Sequence, residues 1–298
     1  MYITIDGGTS NTRVYTIENG NVKLISKAAV GAHNSNGLRR FLKETLSDID
    51  AERIDAIIAS GMITSANGLL EVRHIPAPAG LQELHCAMQE ALFPDICSVP
   101  FTFIPGVKID SGKIENADIM RGEETELMGL GEIYANTAYI LPGTHSKCIL
   151  TDSRGKIFDF FTMMTGELLE AVKKSTIIGK SFEYFEVFDE KSLSDGFEYA
   201  SENGINETLF KCRIMDILLG KSQTEIYSFC LGAVLSGELN RIAKVKADRF
   251  VFGGKRTLRI PESLLFKKYF GKTTVCLDDS VCSNAAPLGA VKIYENKF

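Results

Sequence analysis

The chain of 298 residues is long enough for two domains with cores of their own. Its 33 basic and 38 acidic residues leave a net charge of −5, which argues against a general affinity for nucleic acid. Seven cysteines without a C-x-x-C pair suit a reducing compartment, and no apolar run reaches membrane-spanning length, so a cytoplasmic protein with no membrane partner is expected.

The first stretch is a β-rich apolar run that ends in Asp6, turns on Gly7-Gly8-Thr9-Ser10-Asn11 and returns as Val14 to Ile17. That is a hairpin signal. Its turn is rich in anion-gripping groups, because glycine lets backbone N–H groups approach a phosphate and Thr9, Ser10 and Asn11 add short donors. Val22 to Ala28 reads as a third strand, and residues 36–49 carry apolar side chains at helical spacing. Ile54 to Ala59 is a strand closing in Ser60-Gly61-Met62, followed by polar loops at 64–68 and 76–80. A helix over 81–92 and a strand over 101–104, stopped by Pro105-Gly106, complete a mixed α/β domain. The polar stretch 108–116 places its end near residue 112.

The second domain, 113–283, opens at Met120-Arg121-Gly122-Glu123-Glu124-Thr125, with a helix from Glu123 onward whose first-turn acids suit its dipole. Gly129 and Gly131 are poor helix formers and suggest close packing. A second hairpin follows over 139–150. Setting Gly143 on Gly8 without a gap aligns Thr144 with Thr9, Ser146 with Asn11, Ile149 with Val14, Thr151 with Thr16 and Gly155 with Gly20. A strand over 157–162 is then expected, with helices over 167–176, 182–202, 205–219 and 224–243. A strand over 249–252 ends in Gly253-Gly254, and a helix over 261–270 and a strand over 273–277 come next. The final helix, 286–294 within a segment 284–298, is expected to pack back on the first domain.

Three Gly-Lys-Ser/Thr triplets, at 179, 220 and 271, lack the earlier glycine of a P-loop, and no G-x-G-x-x-G occurs. The histidines have no metal-ligand spacing. Asp6 either caps the turn or holds Mg²⁺ through its waters. Glu123 and Glu124 are either dipole partners or, for one of them, a base for a hydroxyl nucleophile.

Two phosphate hairpins half a chain apart resemble the sugar kinase, hsp70 and actin superfamily, whose hairpins clamp ATP phosphates. The fold this implies is α/β, a two-domain actin-like ATPase (ribonuclease H-like) fold with duplicated phosphate-binding β-hairpins. Met120–Thr125, Pro142–Lys147 and Met164–Leu168, in order with Ser60-Gly61-Met62 and Pro105-Gly106, resemble the 2-dehydro-3-deoxygalactonokinase family along the whole chain. Cys148 and Gly7 depart from its pattern, an aromatic and a bulkier residue being common there.

The resemblance implies transfer of phosphate from ATP to O6 of 2-keto-3-deoxy-D-galactonate. Gly7, Gly8, Thr9 and Asn11, with Gly143, Thr144 and Ser146, would bind the phosphates, with charge offset by Arg13 or Lys147. Asp6 would hold hydrated Mg²⁺, and Gly253-Gly254 would let the adenosine lie against the backbone. The sugar acid would meet Asn67, Arg121, Glu123, Thr165 and Glu167. Arg121 is the candidate for its carboxylate, against a salt bridge to Glu123 or Glu126. Bacterial sugar kinases carry their catalytic acid six places before the leucine of a Leu-Gly-Glu triplet; here Leu130-Gly131-Glu132 sets that place at Glu124, with Glu in place of Asp. A kinase of another sugar or sugar acid, and a non-catalytic sugar-sensing regulator, remain alternatives. The sequence leaves a homodimer open.

Overall fold

Tyr2–Gly7 forms β1, which pairs antiparallel with β2 (Thr12–Glu18); β3 (Asn21–Ala28) extends the meander. Then come α1 (Ser35–Ser47), β4 (Ala56–Gly61), β5 (Ile75–Pro76), α2 (Leu81–Cys86), β6 (Gln89–Ala91), β7 (Phe101–Phe103), β8 (Val107–Ile109), β9 (Asp118–Met120) and α3 (Glu123–Gly129). Six strands make one sheet, β3-β2-β1-β4-β7-β6, with β1, β4 and β7 parallel. Ile3, Ile5, Ile57, Phe101 and Phe103 lie in a core with Leu38, Leu42 and Leu46 of α1, which sit at i, i+4 and i+8. Asn34 caps α1 by accepting from the Gly37 N–H at 3.0 Å.

The second half runs β10 (Thr137–Leu141), β11 (Ser146–Thr151), β12 (Ile157–Met163), α4 (Thr165–Ser175), α5 (Glu190–Asn203), α6 (Ile205–Ile217), α7 (Gln223–Ile242), β13 (Arg249–Phe252), α8 (Arg256–Phe270) and β14 (Thr274–Cys276). Its sheet has the order β12-β11-β10-β13-β14, with β10 antiparallel to β11 and parallel to β13. That repeats β3-β2-β1-β4-β7 strand for strand, so the alignment of Gly143 on Gly8 reflects a repeated topology. Ile140, Phe250, Phe252, Leu235, Leu239 and Phe266 fill its core. The chain closes with α9 (Asp279–Glu295).

The computed structural model describes residues 1–296, and the chain divides into two units. The first comprises Met1–Ala135, Thr151–Phe160 and the chain from Asp279 onward; the second comprises Asn136–Leu150 and Phe161–Asp278. The first unit therefore continues past residue 112. The polar stretch there joins β8 to β9, which form a small sheet with β5. Strands of two or three residues are too short to show a period in sequence. In the first unit α9 packs on α3, β1 and β4. The approach is close: a Cβ on Gly129 would stand 1.8 Å from the Ala285 carbonyl, and one on Gly289 1.9 Å from that of Thr125.

Four expected helices have different limits. The one begun at Leu81 stops at Cys86, and Gln89–Ala91 instead pairs antiparallel with β7, because an open sheet edge outweighs local helix propensity. The one expected from Phe182 starts at Glu190, where Asp189 caps it by accepting from the Ser192 N–H at 2.8 Å. α8 and α9 begin earlier than expected, each carrying a proline inside, Pro261 and Pro287. No helix among the described residues is long and apolar enough to cross a membrane.

Candidate active site

In the first unit the site grows from the end of β1. Asp6 stands opposite Arg13 on β2 and Ser60 on β4, and its Oδ2 accepts from Arg13 Nη1 at 2.8 Å. A quarter of the Asp6 side chain stays exposed, and burial still outweighs Arg13 in raising its pKa. The following turn is tight, with the Gly8 N–H donating to the Asn11 carbonyl at 2.8 Å, and Thr9 and Ser10 are exposed. Gly7 has a packing reason: a Cβ there would lie 2.6 Å from Ile63 Cβ. Gly61, at φ +79°, closes the other side, and a Cβ on it would be 2.6 Å from the Gly7 carbonyl and 3.7 Å from Asp6 Oδ1.

Arg121 joins this corner to α3. Its Nη1 donates to the Thr64 carbonyl at 2.7 Å and to Thr64 Oγ1; its Nη2 donates to the Val72 carbonyl at 2.9 Å and meets His74 Nδ1 at 3.1 Å. Burial, then Arg121 itself, pushes His74 down to about 4, so its Nδ1 is an acceptor at neutral pH. The guanidinium is thus held by the loop after β4, an arrangement that favours a structural role over that of a carboxylate reader. Glu123 Oε2 accepts from the Arg121 backbone N–H at 3.0 Å. Arg121→Met is therefore expected to cost about 3 kcal/mol of stability through stranded carbonyls. It should depress kcat without a selective rise in KM for one substrate. Chemical denaturation beside both KM values checks this; a selective KM change at unchanged stability would restore the carboxylate role.

The anchored residue precedes Gly122, whose φ of +114° and approach to Gly61, 3.2 Å from an added Cβ to Gly61 Cα, bring the start of α3 beside β1 and β4. Glu124 follows at 0% exposure. Its two oxygens accept from the Gly122 N–H at 2.8 and 2.9 Å, and Oε1 from Thr125 Oγ1 at 3.2 Å. Burial, then the charge of Glu123, pushes it up to about 7. Asn67 lies exposed on the loop that Arg121 holds. Among the described residues no group of three or more His, Cys, Asp or Glu side chains is arranged as a metal site. Asp6, a single part-exposed carboxylate beside a glycine turn, fits a metal kept largely hydrated, as Mg²⁺ is.

In the second unit the turn after β10 leaves Thr144 and His145 exposed, while a Cβ on Gly143 would have only His145 O, at 3.7 Å, nearby. Ser146 and Lys147, the other two residues assigned to the phosphates, are buried, Lys147 at 5% exposure, unlike the turn beside them. The start of α4 presses on the turn: a Cβ on Gly166 would stand 2.1 Å from Gly143 O, and the Glu167 N–H donates to Thr144 O at 2.9 Å. Glu167 pairs with His145 Nε2 at 2.5 Å, and the Thr165 hydroxyl donates to buried Glu238, so the structure gives both side chains partners other than a sugar acid. Gly254, at φ +68°, completes the cradle against Pro142, whose carbonyl accepts from the Lys255 N–H at 2.9 Å. Next to it opens a cavity of about 320 Å³ lined by Gly166, Leu169, Tyr184, Tyr227, Lys255 and Thr257, among others. Its tyrosines were read in sequence only as parts of helices.

A family model described as 2-keto-3-deoxy-galactonokinase matches residues 6–278. The chain belongs to that family. It is 26% identical over 275 residues to the 2-dehydro-3-deoxygalactonokinase of Escherichia coli (strain K12), covering 88% of each chain. It is 29% identical over 248 residues to a "Probable 2-dehydro-3-deoxygalactonokinase" of Rhizobium meliloti (strain 1021), covering 80% of this chain and 79% of the relative. A crystal structure from Sinorhizobium meliloti, provisionally assigned to the same activity, superposes with a TM-score of 0.81 at 23% identity, over 100% of this chain and 97% of that one. Like this kinase-family neighbour, the chain has the two-domain actin-like ATPase fold.

Proposed function

We propose that the protein transfers the γ-phosphoryl group of ATP to the O6 hydroxyl of 2-keto-3-deoxy-D-galactonate. The observation that carries this reading is a buried carboxyl, Glu124, two residues beyond Gly122, which packs on the Gly61 that borders Asp6, in a chain of the galactonokinase family. In the second unit, the open Gly143–Thr144 turn and the start of α4 receive phosphates, and the ribose and base lie along Gly253–Gly254 toward the tyrosine-lined cavity. In the first unit, Gly8, Thr9 and Asn11 offer the second set of phosphate donors, Arg13 offsets charge, and Asn67 meets the sugar acid. Mg²⁺ held through water by Asp6 would neutralise charge on the phosphates. Glu124 orients the hydroxyl and takes its proton. The reading carries a cytoplasmic setting, with the oligomeric state to be measured.

An ATP-coupled assay over 2-keto-3-deoxygalactonate, its gluconate epimer, simple hexoses and other sugar acids tests the assignment. The galactonate is expected to give the highest kcat/KM; a preference for another sugar would move the protein to a sister activity on this scaffold.

The base sets a pH dependence. Glu124 acts ionised, so kcat/KM should rise with pH through about 7. Because the charge of Glu123 helps raise that value, Glu123→Gln should move the limb to lower pH. The stability sign is opposite: a carboxyl raised in the folded state binds more protons there, so its contribution falls as pH climbs from the ordinary carboxylate range to about 7. A rate profile flat between pH 5.5 and 8, conditions chosen on the scale of this shift, would remove Glu124 from the proton transfer.

A further inference from the structure

Besides Lys147 of β11, the second unit buries Glu238 of α7 at 4% exposure, and Arg259 and Glu262 of α8 at 2% and 0%. The reaction above uses none of them. Glu238 Oε2 accepts from Thr165 Oγ1 at the start of α4. The hydroxyl of Ser146, first residue of β11, lies close enough to the same carboxyl to lower its pKa. Yet Ser146 Oγ and Glu238 Oε1 have no hydrogen-bond partner, nor has either oxygen of Glu262. Arg259 Nη1 donates to the Gly254 carbonyl at 2.9 Å. A buried polar group therefore stands behind each nucleotide element of this unit: Ser146 behind the hairpin, Thr165 at α4, Arg259 at the glycine turn.

Apolar residues of similar size would cost less in such an interior, so the carboxyls call for a reason. Two carboxyls buried within reach of each other's charge cannot both ionise cheaply. Burial pushes Glu238 up to about 7 and Glu262 well above its ordinary value, the latter raised further by Glu238 and by Cys276. A protonated carboxyl both donates and accepts. Either form of Glu238 can hold both hydroxyls: ionised it accepts from Thr165 and from Ser146, and protonated it accepts from one and donates to the other, so a bond to Ser146 Oγ satisfies two of the unpaired atoms at once.

We propose that Glu238 is a positioning residue for the nucleotide: its carboxyl, accepting from Thr165 and bonded to the Ser146 hydroxyl, ties the turn after β10 to the start of α4 in the geometry that receives phosphates. The contact it governs is tight, since Gly166 has no room for a Cβ against Gly143. The inference rests on the nucleotide reading of the second unit. Glu262 on α8 lies within reach of the Glu238 charge, and Lys147, buried at 5% exposure, follows Ser146 on β11; Ser146 and Thr165, which face the carboxyl from β11 and α4, do not titrate.

The test uses the full chain, Mg·ADP binding by calorimetry, and both KM values for Glu238→Ala, Glu238→Gln and Thr165→Val. Loss of one buried hydrogen bond at this place should weaken ADP binding and raise KM for ATP about tenfold in Glu238→Ala and Thr165→Val. KM for the sugar acid should change less than about twofold. Glu238→Gln, with an N–H donor and a carbonyl acceptor, should hold ADP affinity near that of the parent at pH 7. Unchanged ADP binding in Glu238→Ala or Thr165→Val, a Gln variant as weak as the Ala variant, or equal effects on both substrates would overturn the proposal. Should Glu238→Ala fail to fold, Thr165→Val and Glu238→Gln decide alone. A parent protein that binds no Mg·ADP would instead overturn the nucleotide reading itself.

Discussion

Glu124→Gln is expected to lower kcat by about a hundred- to ten-thousand-fold, the usual contribution of a positioned general base. The amide keeps the size of the side chain and an oxygen for the Gly122 N–H, so folding and ATP binding should persist. Glu123 is the rival. It is the more exposed of the two, whereas Glu124 is enclosed and already holds Gly122 and Thr125. Two facts outweigh that exposure. Glu124 is pushed up to about 7, where a base both is ionised and accepts a proton effectively, and it holds the place that counting back from Leu130-Gly131-Glu132 gives the acid. A carboxylate has about four lone-pair positions, so one remains for a hydroxyl beside the bonds already made. Glu123→Gln should therefore cost far less, on the order of the 0.3–1 kcal/mol of a helix-end acid. Single-turnover rates of both variants decide it; a dead Glu123→Gln beside an active Glu124→Gln would shift the assignment by one residue.

Asp6→Asn is the second large effect, a fall in kcat of about a hundredfold or more, as when one preorganised electrostatic group is removed. The competing account makes Asp6 only the partner of Arg13, to which it is bonded at 2.8 Å. Both side chains keep part of their surface exposed, so that pair contributes at most about 1 kcal/mol to stability. The two accounts separate on magnitude and on the companion variant. If Asp6 acts through hydrated Mg²⁺, Asp6→Asn loses turnover with little loss of stability, and higher Mg²⁺ partly restores it. Arg13→Met should then keep substantially more activity than Asp6→Asn. Normal turnover of Asp6→Asn at low Mg²⁺ would remove the metal role.

The parts of the fold that were legible share one property: they are encoded locally. The hairpin turns at Gly7–Asn11 and Pro142–His145 sit between runs of β-forming residues, and α1 shows its leucines at helical spacing. The acids of α3 were singled out by the resemblance, counting back from Leu130-Gly131-Glu132, and their place at the start of a helix was legible locally. What was missed depends on distant partners. The Arg121 guanidinium reaches residues 47 and 57 positions away, so sequence showed a cation but not what it would hold. β5, β8 and β9 exist because they pair with one another, and β6 because β7 has an open edge. Glu238, Arg259 and Glu262 lie on helices, where a charged residue normally faces water; only the packed core reveals them as interior. Gly254 was read as a place for adenosine, and the structure adds the closeness of Pro142, 2.7 Å from an added Cβ to its carbonyl.

The most direct test of the account is to identify the product. The full-length protein is incubated with Mg·ATP and 2-keto-3-deoxy-D-galactonate, and the mixture is followed by phosphorus and carbon NMR. The account predicts a phosphomonoester on C6 of the sugar acid, formed with one equivalent of ADP. ATP consumed without a phosphorylated sugar acid, or phosphate on a different oxygen, would contradict it.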